Sequence, residues 1–334
     1  MTYSLNAEFH VTPGEIQTVA SGFNRPECVL VLSNGDVIAS HGGGGYSVLS
    51  PDGRLRHVIG KGEPGRAYVP NGIALAPDGR VLFADLGATQ GGIFAIEPDG
   101  EIVPLITEID GVALPPCNFV MVDADGAIWF TVSTRLQPRS RAWMSSVSDG
   151  FIAVSDGRGV RIVADGLAYT NEIAFSPDGQ WVYTNETYGQ RVSRFRLLPG
   201  AQLGPREVVA QLSGADLPDG ICFDTEGGAW VSCIASNRVL VIRPDHKVQA
   251  VLADTDPAHA TRVADGIRSG TLAHADMQTA GHSSLANISS LAFGGPDGRT
   301  AYLGCLLDDR LRAFRSPVQG APLPHWERRL RLVS

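Results

Sequence analysis

The stretch "LAYTNEIAFSPDGQWVYTNE" (residues 167–186) contains the pattern that decides the fold. Two apolar runs, at 173–175 and 181–183, flank a Ser-Pro-Asp-Gly sequence that is typical of a tight turn between β-strands. A polar amide, Asn171, stands directly before the first of these runs. The stretch therefore predicts a β-hairpin, and it raises the question of why an amide begins a strand that should be buried.

The same arrangement occurs six times in the chain, always with eight residues from a polar position to a turn glycine. The six polar starts are Glu27, Asn71, Asn118, Asn171, Asp219 and Ser290, and the six glycines are Gly35, Gly79, Gly126, Gly179, Gly227 and Gly298. Further strand-like segments follow each hairpin, so a period of about 45 residues contains four strands. Four strands per period of this length are typical of a propeller blade.

Six repeats predict an all-β fold, a six-bladed β-propeller formed by a single domain over residues 1–334. No long stretch has apolar residues at helical spacing, so few helices are expected. The segment "IQTVASG" (16–22) resembles the blade-ending "RIVADG" (161–166) but precedes the first repeat. We therefore expect this N-terminal strand to complete the sixth blade and close the ring. The tail "HWERRLRLVS" is expected to add an edge strand there or to pack nearby.

Composition excludes several classes of function. The 334 residues are 43% apolar and 19% charged, with a net charge of −8, which argues against a nucleic-acid-binding surface. No run approaches the roughly 18 apolar residues of a membrane span, and the N-terminus lacks the regions of a secretory signal, so a cytoplasmic protein is expected. The five cysteines contain no CxxC pair, which predicts buried reduced thiols rather than a zinc site.

The six repeat starts should converge at one end of the central channel, because the innermost strand of each blade runs along it. All six residues are polar, and two of them are acids. Hard cations such as calcium are bound by six to eight oxygen ligands, and two carboxylates match the charge of a divalent ion. Local capping of a strand start explains one such residue, but it explains six in register less well. The pattern predicts a ring of oxygen ligands.

Several segments resemble the senescence-marker-protein (regucalcin)/gluconolactonase family of six-bladed propellers, which includes bacterial gluconolactonases and is related to squid diisopropylfluorophosphatase. They are "VPNGIALAPDGRVLFAD", "YTNEIAFSPDGQWVY", "LPDGICFDTEGGAWVS" and "LAFGGPDGRTAYL", and the resemblance covers roughly residues 15–316. It implies one divalent metal ion, with calcium expected and zinc, manganese or magnesium as alternatives. It also implies that Glu27, Asn171, Asp219 and Asn118 bind the metal and that Asp219 acts as the catalytic base.

The sequence departs from the family pattern around Asn118. The family's Pro-Asn-Asp motif reads Pro-Cys-Asn-Phe here, and the arginine that often precedes this asparagine is missing, which suggests a less polar ligand than a sugar lactone. Two segments are candidates to lie near the channel mouth, namely the loop 133–146 and the excess of the last repeat interval, 264–287. The residues expected to bind substrate are Asn118, Asn71, Phe119, Arg135 and Ser290.

The predicted function is a metal-dependent hydrolase acting on a small molecule, specifically a lactonase in which the ion polarises the ester carbonyl. One alternative keeps the metal but changes the reaction to ester or phosphotriester hydrolysis, or to a lyase reaction on a less polar substrate. A second alternative is a non-enzymatic scaffold, which would have no need of two acids and three amides at equivalent positions around the channel.

Overall fold

The computed structural model describes residues 3–332, whose strands form a six-bladed β-propeller of four-stranded antiparallel sheets. The first strand is β1 (Gln17–Ala20). Blade 1 contains β2 (Val29–Val31), β3 (Val37–His41), β4 (Gly45–Leu49) and β5 (Leu55–Ile59). Blade 2 contains β6 (Pro70–Leu75), β7 (Val81–Asp85), β8 (Gly92–Ile96) and β9 (Ile102–Ile106), followed by a small hairpin of β10 (Glu108–Ile109) and β11 (Val112–Ala113).

The remaining blades follow in chain order. Blade 3 contains β12 (Phe119–Val122), β13 (Ile128–Val132), β14 (Gly150–Asp156) and β15 (Gly159–Leu167). Blade 4 contains β16 (Thr170–Phe175), β17 (Trp181–Glu186), β18 (Arg191–Leu198) and β19 (Gln202–Gln211). Blade 5 contains β20 (Asp216–Phe223), β21 (Ala229–Ala235), β22 (Arg238–Ile242) and β23 (Val248–Ala253). Two helices, α1 (Pro257–Ser269) and α2 (His274–Met277), precede blade 6, which contains β24 (Ile288–Gly294), β25 (Thr300–Cys305) and β26 (Leu311–Arg315).

The ring is closed by the N-terminal strand, as the sequence predicts. β1 pairs antiparallel with β26, with Gln17 opposite Ala313 and Thr18 opposite Arg312, and so becomes the outermost strand of blade 6. The inner strands β2, β6, β12, β16, β20 and β24 each contact the next one around the ring. The extent of the domain, residues 1–334, stays a prediction. Within residues 3–332, no helix is long and apolar enough to cross a membrane.

The hairpin of blade 4 shows why the repeated Asp-Gly sequence forms a turn. Gly179 has a φ of 66°, a left-handed conformation that glycine adopts without steric cost, and its N–H donates to the carbonyl of Ser176 over 2.8 Å. The Asp178 carboxylate accepts a hydrogen bond from the Gln180 N–H at 3.0 Å. The turn residues therefore set the register in which Phe175 opposes Val182.

A one-residue bulge interrupts four inner strands at the end opposite the Asp-Gly turn. In blade 4 Thr170 opposes Glu186 and Ile173 opposes Thr184, so Asn171 and Glu172 together face a single residue of β17. Blades 2, 5 and 6 have the same irregularity. Bulges redirect side chains and often lie beside functional sites. The amide at position 171 is therefore part of an irregularity that recurs around the channel.

Tryptophans that follow two of the turns pack neighbouring blades together. Trp129 is fully buried, donates to the Asp123 carboxylate at 2.8 Å, and meets Phe175 of blade 4 edge to face. Trp230 repeats this arrangement with Asp224 at 2.9 Å and Phe293 of blade 6. Such aromatic pairs bury a large apolar area while the indole N–H keeps a partner. The five cysteines are buried and unpaired, as predicted.

Of the two arrangements expected for the C-terminal tail, the structure shows packing nearby and not an added edge strand. The tail crosses the turn-bearing face, where the Ser33 N–H donates to the Trp326 carbonyl and the Arg331 N–H to the Gly79 carbonyl. Leu323, Pro324 and His325 line the cavity inside the channel. The reason is that the outer edge of blade 6 is already occupied by β1, whereas the turn ends leave backbone groups to be satisfied.

We predict that Arg328→Ala lowers the free energy of unfolding by about 1–3 kcal/mol, because each lost bond is a charge-assisted hydrogen bond to a backbone carbonyl. Arg328 donates to the Leu75 carbonyl at 2.6 Å and to the Asp123 carbonyl at 2.8 Å, which links blades 2 and 3 through the tail. Arg329→Ala is the matched control, because the Arg329 side chain is exposed. Equal denaturation midpoints for the two variants would contradict this role of the tail.

We also predict that His325 makes the fold less stable in mild acid. Burial lowers the pKa of His325 from 6.5 to about 4, so the unfolded chain binds a proton that the folded chain does not between these values. Stability is therefore lost as the pH falls below 6.5, by about 2 kcal/mol at pH 5 for this one group. Denaturation of wild type and His325→Asn at pH 7 and pH 5 measures it. The variant should show the smaller loss, and an equal loss would refute the assignment.

Candidate functional site

The predicted ring residues lie at one end of the channel, and five of them are at the repeat position that the sequence assigns. Glu27, Asn71, Asn118, Asn171 and Asp219 are each 3–4% exposed. Asn71, Asn171 and Asp219 occupy the first position of the bulges in blades 2, 4 and 5. Asn118 directly precedes β12 of blade 3, and Glu27 lies two residues before β2 of blade 1.

The prediction for blade 6 is wrong by one residue. Ile288 opposes Cys305 and Leu291 opposes Leu303, so Ser289 occupies the position of Asn171, and Ser290 lies one residue deeper. Seven residues separate the pair Phe293–Ala301, whereas six separate the corresponding pair in blade 4. Counting eight residues back from the turn glycine therefore identifies the wrong residue in blade 6. Ser289 is buried and donates to the Glu27 carbonyl at 2.8 Å.

A chain of hydrogen bonds connects the ring residues of blades 1, 2 and 3. The Asn71 amide nitrogen donates to Glu27 Oε1 at 2.8 Å and to Asn118 Oδ1 at 3.2 Å. Arg25 donates to Asn71 Oδ1 at 2.9 Å, which fixes the orientation of that amide. Asn118 in turn donates to Ser133 Oγ at 2.9 Å. Asn71 therefore positions its neighbours and offers the ring a donor rather than an oxygen.

Two buried oxygens of the ring have no hydrogen-bond donor within residues 3–332. They are Glu27 Oε2 and Asn171 Oδ1. The Asn171 amide nitrogen is occupied, because it donates to Thr187 Oγ1 at 3.2 Å. Leaving a buried acceptor without a partner costs about 1–3 kcal/mol, more for a charged group. Two such atoms at the same end of the channel indicate that something outside the chain completes their coordination.

Burial and mutual repulsion disfavour the charged forms of the ring acids. Burial raises the pKa of Glu27 to about 7, against the opposing effects of Arg25, the Asn71 hydrogen bond and Arg139. Burial and then the charge of Glu27 raise the pKa of Asp219 well above its usual range. A nearby positive charge favours the ionised forms of both acids. The ring is therefore a site where a cation would be stabilised.

The residues present fit a divalent cation. Glu27 and Asp219 provide carboxylates, and Asn171 provides a carbonyl oxygen that lacks a donor, which is the donor chemistry of a hard ion. Asn118 is the fourth predicted ligand, and its Oδ1 accepts from Asn71. Within the described range 3–332, no three His, Cys, Asp or Glu side chains cluster as a metal site. The fit therefore depends on amide oxygens as well as acids.

Residues one position further along the inner strands line the channel below the ring. Cys28, Phe119, Glu172 and Ser290 line this cavity. Phe119 is therefore inside the channel, packed against the backbone of Gly72. Glu172 is 4% exposed, and its Oε2 accepts from the Ile221 N–H at 3.0 Å while burial and the charges of Glu27 and Asp219 raise its pKa.

Arg135, one of the residues predicted to bind substrate, pairs with an acid of the protein itself. Its guanidinium forms two hydrogen bonds of 2.9 Å with Asp165 on β15, the outermost strand of blade 3. The arginine of the same loop that reaches the ring is Arg139, which donates to Ser133 Oγ at 3.1 Å. Its positive charge partly offsets the rise in the pKa values of Glu27 and Asp219 that burial causes.

Aromatic side chains form a wall beside Arg139. We define this aromatic wall as Trp143, Tyr169, Tyr188 and His274. Trp143 stacks between Tyr188 and His274, and its indole N–H donates to the Tyr169 hydroxyl at 3.2 Å. The insertion that contains α1 and α2 thus contacts the loop 133–146. Both segments belong to the ring end of the channel.

We predict that Gly72→Ala destabilises the protein by about 1–3 kcal/mol and disturbs the ring, because overpacking forces backbone shifts. A Cβ at this position would lie 2.6 Å from both the Cα and the Cδ2 of Phe119 and 3.1 Å from the Asn118 carbonyl oxygen. Gly157→Ala is the matched control, since nothing lies within 4 Å of its Cβ position. Thermal denaturation measures the effect, and equal stability of the two variants would contradict it.

Comparison with curated proteins finds relatives of low identity that match part of this chain. A 6-deoxy-6-sulfogluconolactonase from Pseudomonas putida is 27% identical over 164 residues, which are 48% of this chain and 54% of that protein. A strictosidine synthase-like protein (number 13) from Arabidopsis thaliana is 30% identical and covers 42% and 36%, and a lactonase (drp35) from Staphylococcus saprophyticus is 25% identical and covers 58% and 60%. The chain thus spans less than two thirds of each of these relatives.

Solved structures share the fold over most of the chain. A gluconolactonase from Xanthomonas campestris superposes with a TM-score of 0.66 at 20% identity, covering 90% of this chain and 89% of that one. A calcium-binding protein, regucalcin, from Agrobacterium tumefaciens superposes with a TM-score of 0.63 at 16% identity, covering 94% and 97%. More than half of the sequence, residues 86–266, matches the SMP-30/gluconolactonase/LRE-like region. This chain belongs to the SMP-30/gluconolactonase/LRE-like family.

Proposed function

We propose that this protein is a metal-dependent hydrolase that acts on lactones. The lactone would be opened at the end of the channel where the polar repeat residues converge. The observation that carries the proposal is the pair of buried oxygens without donors, Glu27 Oε2 and Asn171 Oδ1, beside the carboxylate of Asp219. The lactonases among the relatives support the choice of substrate class. The calcium-binding structural neighbour supports calcium as the first ion to test.

Glu27, Asn171 and Asp219 would hold the cation, and Asn118 lies beside them. A bound divalent ion supplies Lewis-acid polarisation of the ester carbonyl and stabilises negative charge on its oxygen. The chain contributes rigidity, because each ligand is on a different blade and cannot move without its neighbours. Asn71 and Arg25 fix the orientation of Glu27 through the hydrogen bonds described above.

Asp219 is the proposed general base for the attacking water. No hydrogen bond within residues 3–332 engages its carboxylate oxygens, so they are available to accept a proton. A positioned base of this kind contributes roughly 10²–10⁴-fold to a hydrolysis rate. The leaving alkoxide of a lactone stays attached to the product, so the reaction needs one proton returned to that oxygen. The proton that Asp219 takes from the attacking water is the one returned to this oxygen, which restores the base.

The walls of the site limit the substrates that fit. The accessible members of the aromatic wall, Trp143 and His274, contribute aromatic surface. Asn71, Asn118 and Arg139 contribute polar groups from blades 2 and 3. A lactone of small size with an apolar face and a polar edge matches this distribution. We include Ser290 and Phe119 as residues that shape the channel beneath the substrate.

We predict that Asp219→Asn and Glu27→Gln each reduce lactone hydrolysis by about 10²–10⁴-fold and weaken calcium binding. The measurements are kcat/KM over a panel of aldonolactones and aliphatic γ-lactones, and calorimetric titration with calcium. The protein is first stripped with a chelator and then supplied with calcium, manganese, zinc or magnesium. Glu101→Gln is the control, because its side chain is exposed on blade 2.

Each result distinguishes a different part of the proposal. Full activity in chelator would contradict metal dependence, and full turnover by Asp219→Asn would contradict its role as base. Metal binding without hydrolysis of any lactone would favour the alternative of another ester, a phosphotriester or a lyase substrate. Absence of both metal binding and activity would favour a scaffold.

A further inference from the structure

We propose that Arg139 binds a negatively charged group of the substrate, so that the preferred substrates are lactones that carry a carboxylate or a similar oxyanion. The substrate class, a lactone, rests on the proposed function. The contact with Arg139 is a binding contact, which can be measured without turnover. It assigns to Arg139 a recognition role that the family pattern does not supply.

The first argument is the position of Arg139. It begins the short 3₁₀-helix Arg139–Ala142 in the loop between β13 and β14. Its guanidinium donates to Ser133 Oγ at 3.1 Å, and the same oxygen accepts from Asn118 at 2.9 Å. Two hydrogen bonds therefore connect Arg139 with a residue of the ring. A substrate whose ester lies at the ring would have its neighbouring atoms within reach of this guanidinium.

The second argument is that the loop holds Arg139 in place. Ala142, three residues further on, is fully buried in an apolar cluster with Tyr169, Tyr188 and residues of α1. The Cζ of Arg139 lies 5.3 Å from the centre of the Tyr169 ring, a cation–π distance. Tyr169 itself is fixed by the hydrogen bond from Trp143. A pre-organised guanidinium loses little freedom when it binds a ligand.

The third argument is that Arg139 has donors to spare and no anionic partner. Its Nε is buried without a hydrogen-bond partner, and within residues 3–332 no carboxylate oxygen lies within 4.0 Å of its guanidinium. Other arginines near the channel differ, since Arg135 pairs with Asp165 and Arg191 pairs with Glu186. A partly buried cation with an unpaired donor is costly unless an anion completes it.

The fourth argument is the balance of charge at the mouth. Glu27 and Asp219 are near Arg139, but if they bind a divalent cation their two negative charges are neutralised. Even with Glu172 below the ring counted as ionised, Arg139 and Arg25 then leave this end of the channel positive. Arg25 uses its guanidinium on Asn71 Oδ1 and on the Pro70 carbonyl, so Arg139 is the one of the two with an unpaired donor. A planar fork of N–H donors matches a carboxylate well.

The test uses a lactam pair, because lactams are shaped like lactones but resist hydrolysis. The calcium-loaded full chain is titrated calorimetrically with 5-oxopyrrolidine-2-carboxylate and with its neutral carboxamide. We expect the carboxylate to bind about 10- to 100-fold more tightly, the size of a charge-assisted contact. Arg139→Gln should remove this preference, and Arg139→Lys should retain part of it. Arg141→Gln, an exposed arginine of the same 3₁₀-helix, should keep it.

In parallel, kcat/KM is measured for the matching lactones, 5-oxotetrahydrofuran-2-carboxylate and its carboxamide. A binding preference that depends on Arg139, without hydrolysis of either lactone, would support the anion contact and contradict the lactonase function. Equal hydrolysis of both lactones by wild type would keep the lactonase function and overturn the anion contact. Equal binding of the two lactams, no binding of either, or a preference that survives Arg139→Gln would also overturn it.

Discussion

The repulsion between two buried carboxylates, Glu27 and Asp219, is the constraint on which the arrangement of this site depends. Both are 3–4% exposed, and the charge of the first disfavours the charge of the second. In a low-dielectric environment such a pair persists only where the surrounding structure is rigid and opposite charge is near. The propeller provides the rigidity, because the two acids belong to the inner segments of different blades, blade 1 and blade 5. Arg25, the amide of Asn71 and Arg139 provide part of the compensation, and the remaining unpaired oxygens are where we propose that a cation binds.

Much of this arrangement follows from local sequence rules. Asp-Gly turns, alternating strands and a constant distance from turn to polar residue were sufficient to predict six blades, the closing strand and five ring positions, because these features depend on neighbouring residues. The failures occur where local spacing does not determine the outcome. Ser290 was assigned in place of Ser289 because the hairpin of blade 6 is one residue longer. The sequence analysis names Arg135 and not Arg139, because the conformation of a long loop depends on tertiary contacts rather than on spacing.

The two ends of the channel are built from different kinds of residues. At the ring end, polar side chains are brought together by bulges, and the loops carry aromatic and cationic groups. At the other end, the tail supplies Leu323, Pro324 and His325 to the channel cavity and satisfies backbone groups of several blades. The path of the tail across this face could not be predicted from the sequence, because an irregular segment has no periodic pattern. Glu172 is buried next to two other acids, an arrangement that strand spacing alone does not predict.

The pairing of β1 with β26 has a consequence for how the protein is made. Gln17 meets Ala313, a residue almost 300 positions later in the chain. Five blades consist of consecutive strands and can form as each hairpin leaves the ribosome, because their contacts are local. The sixth blade cannot, since its outermost strand is made first and its three other strands last. Throughout translation the nascent chain therefore presents an unpaired strand at one end, a feature that promotes association between chains. Chaperones that shield this strand during synthesis would determine the yield of closed rings.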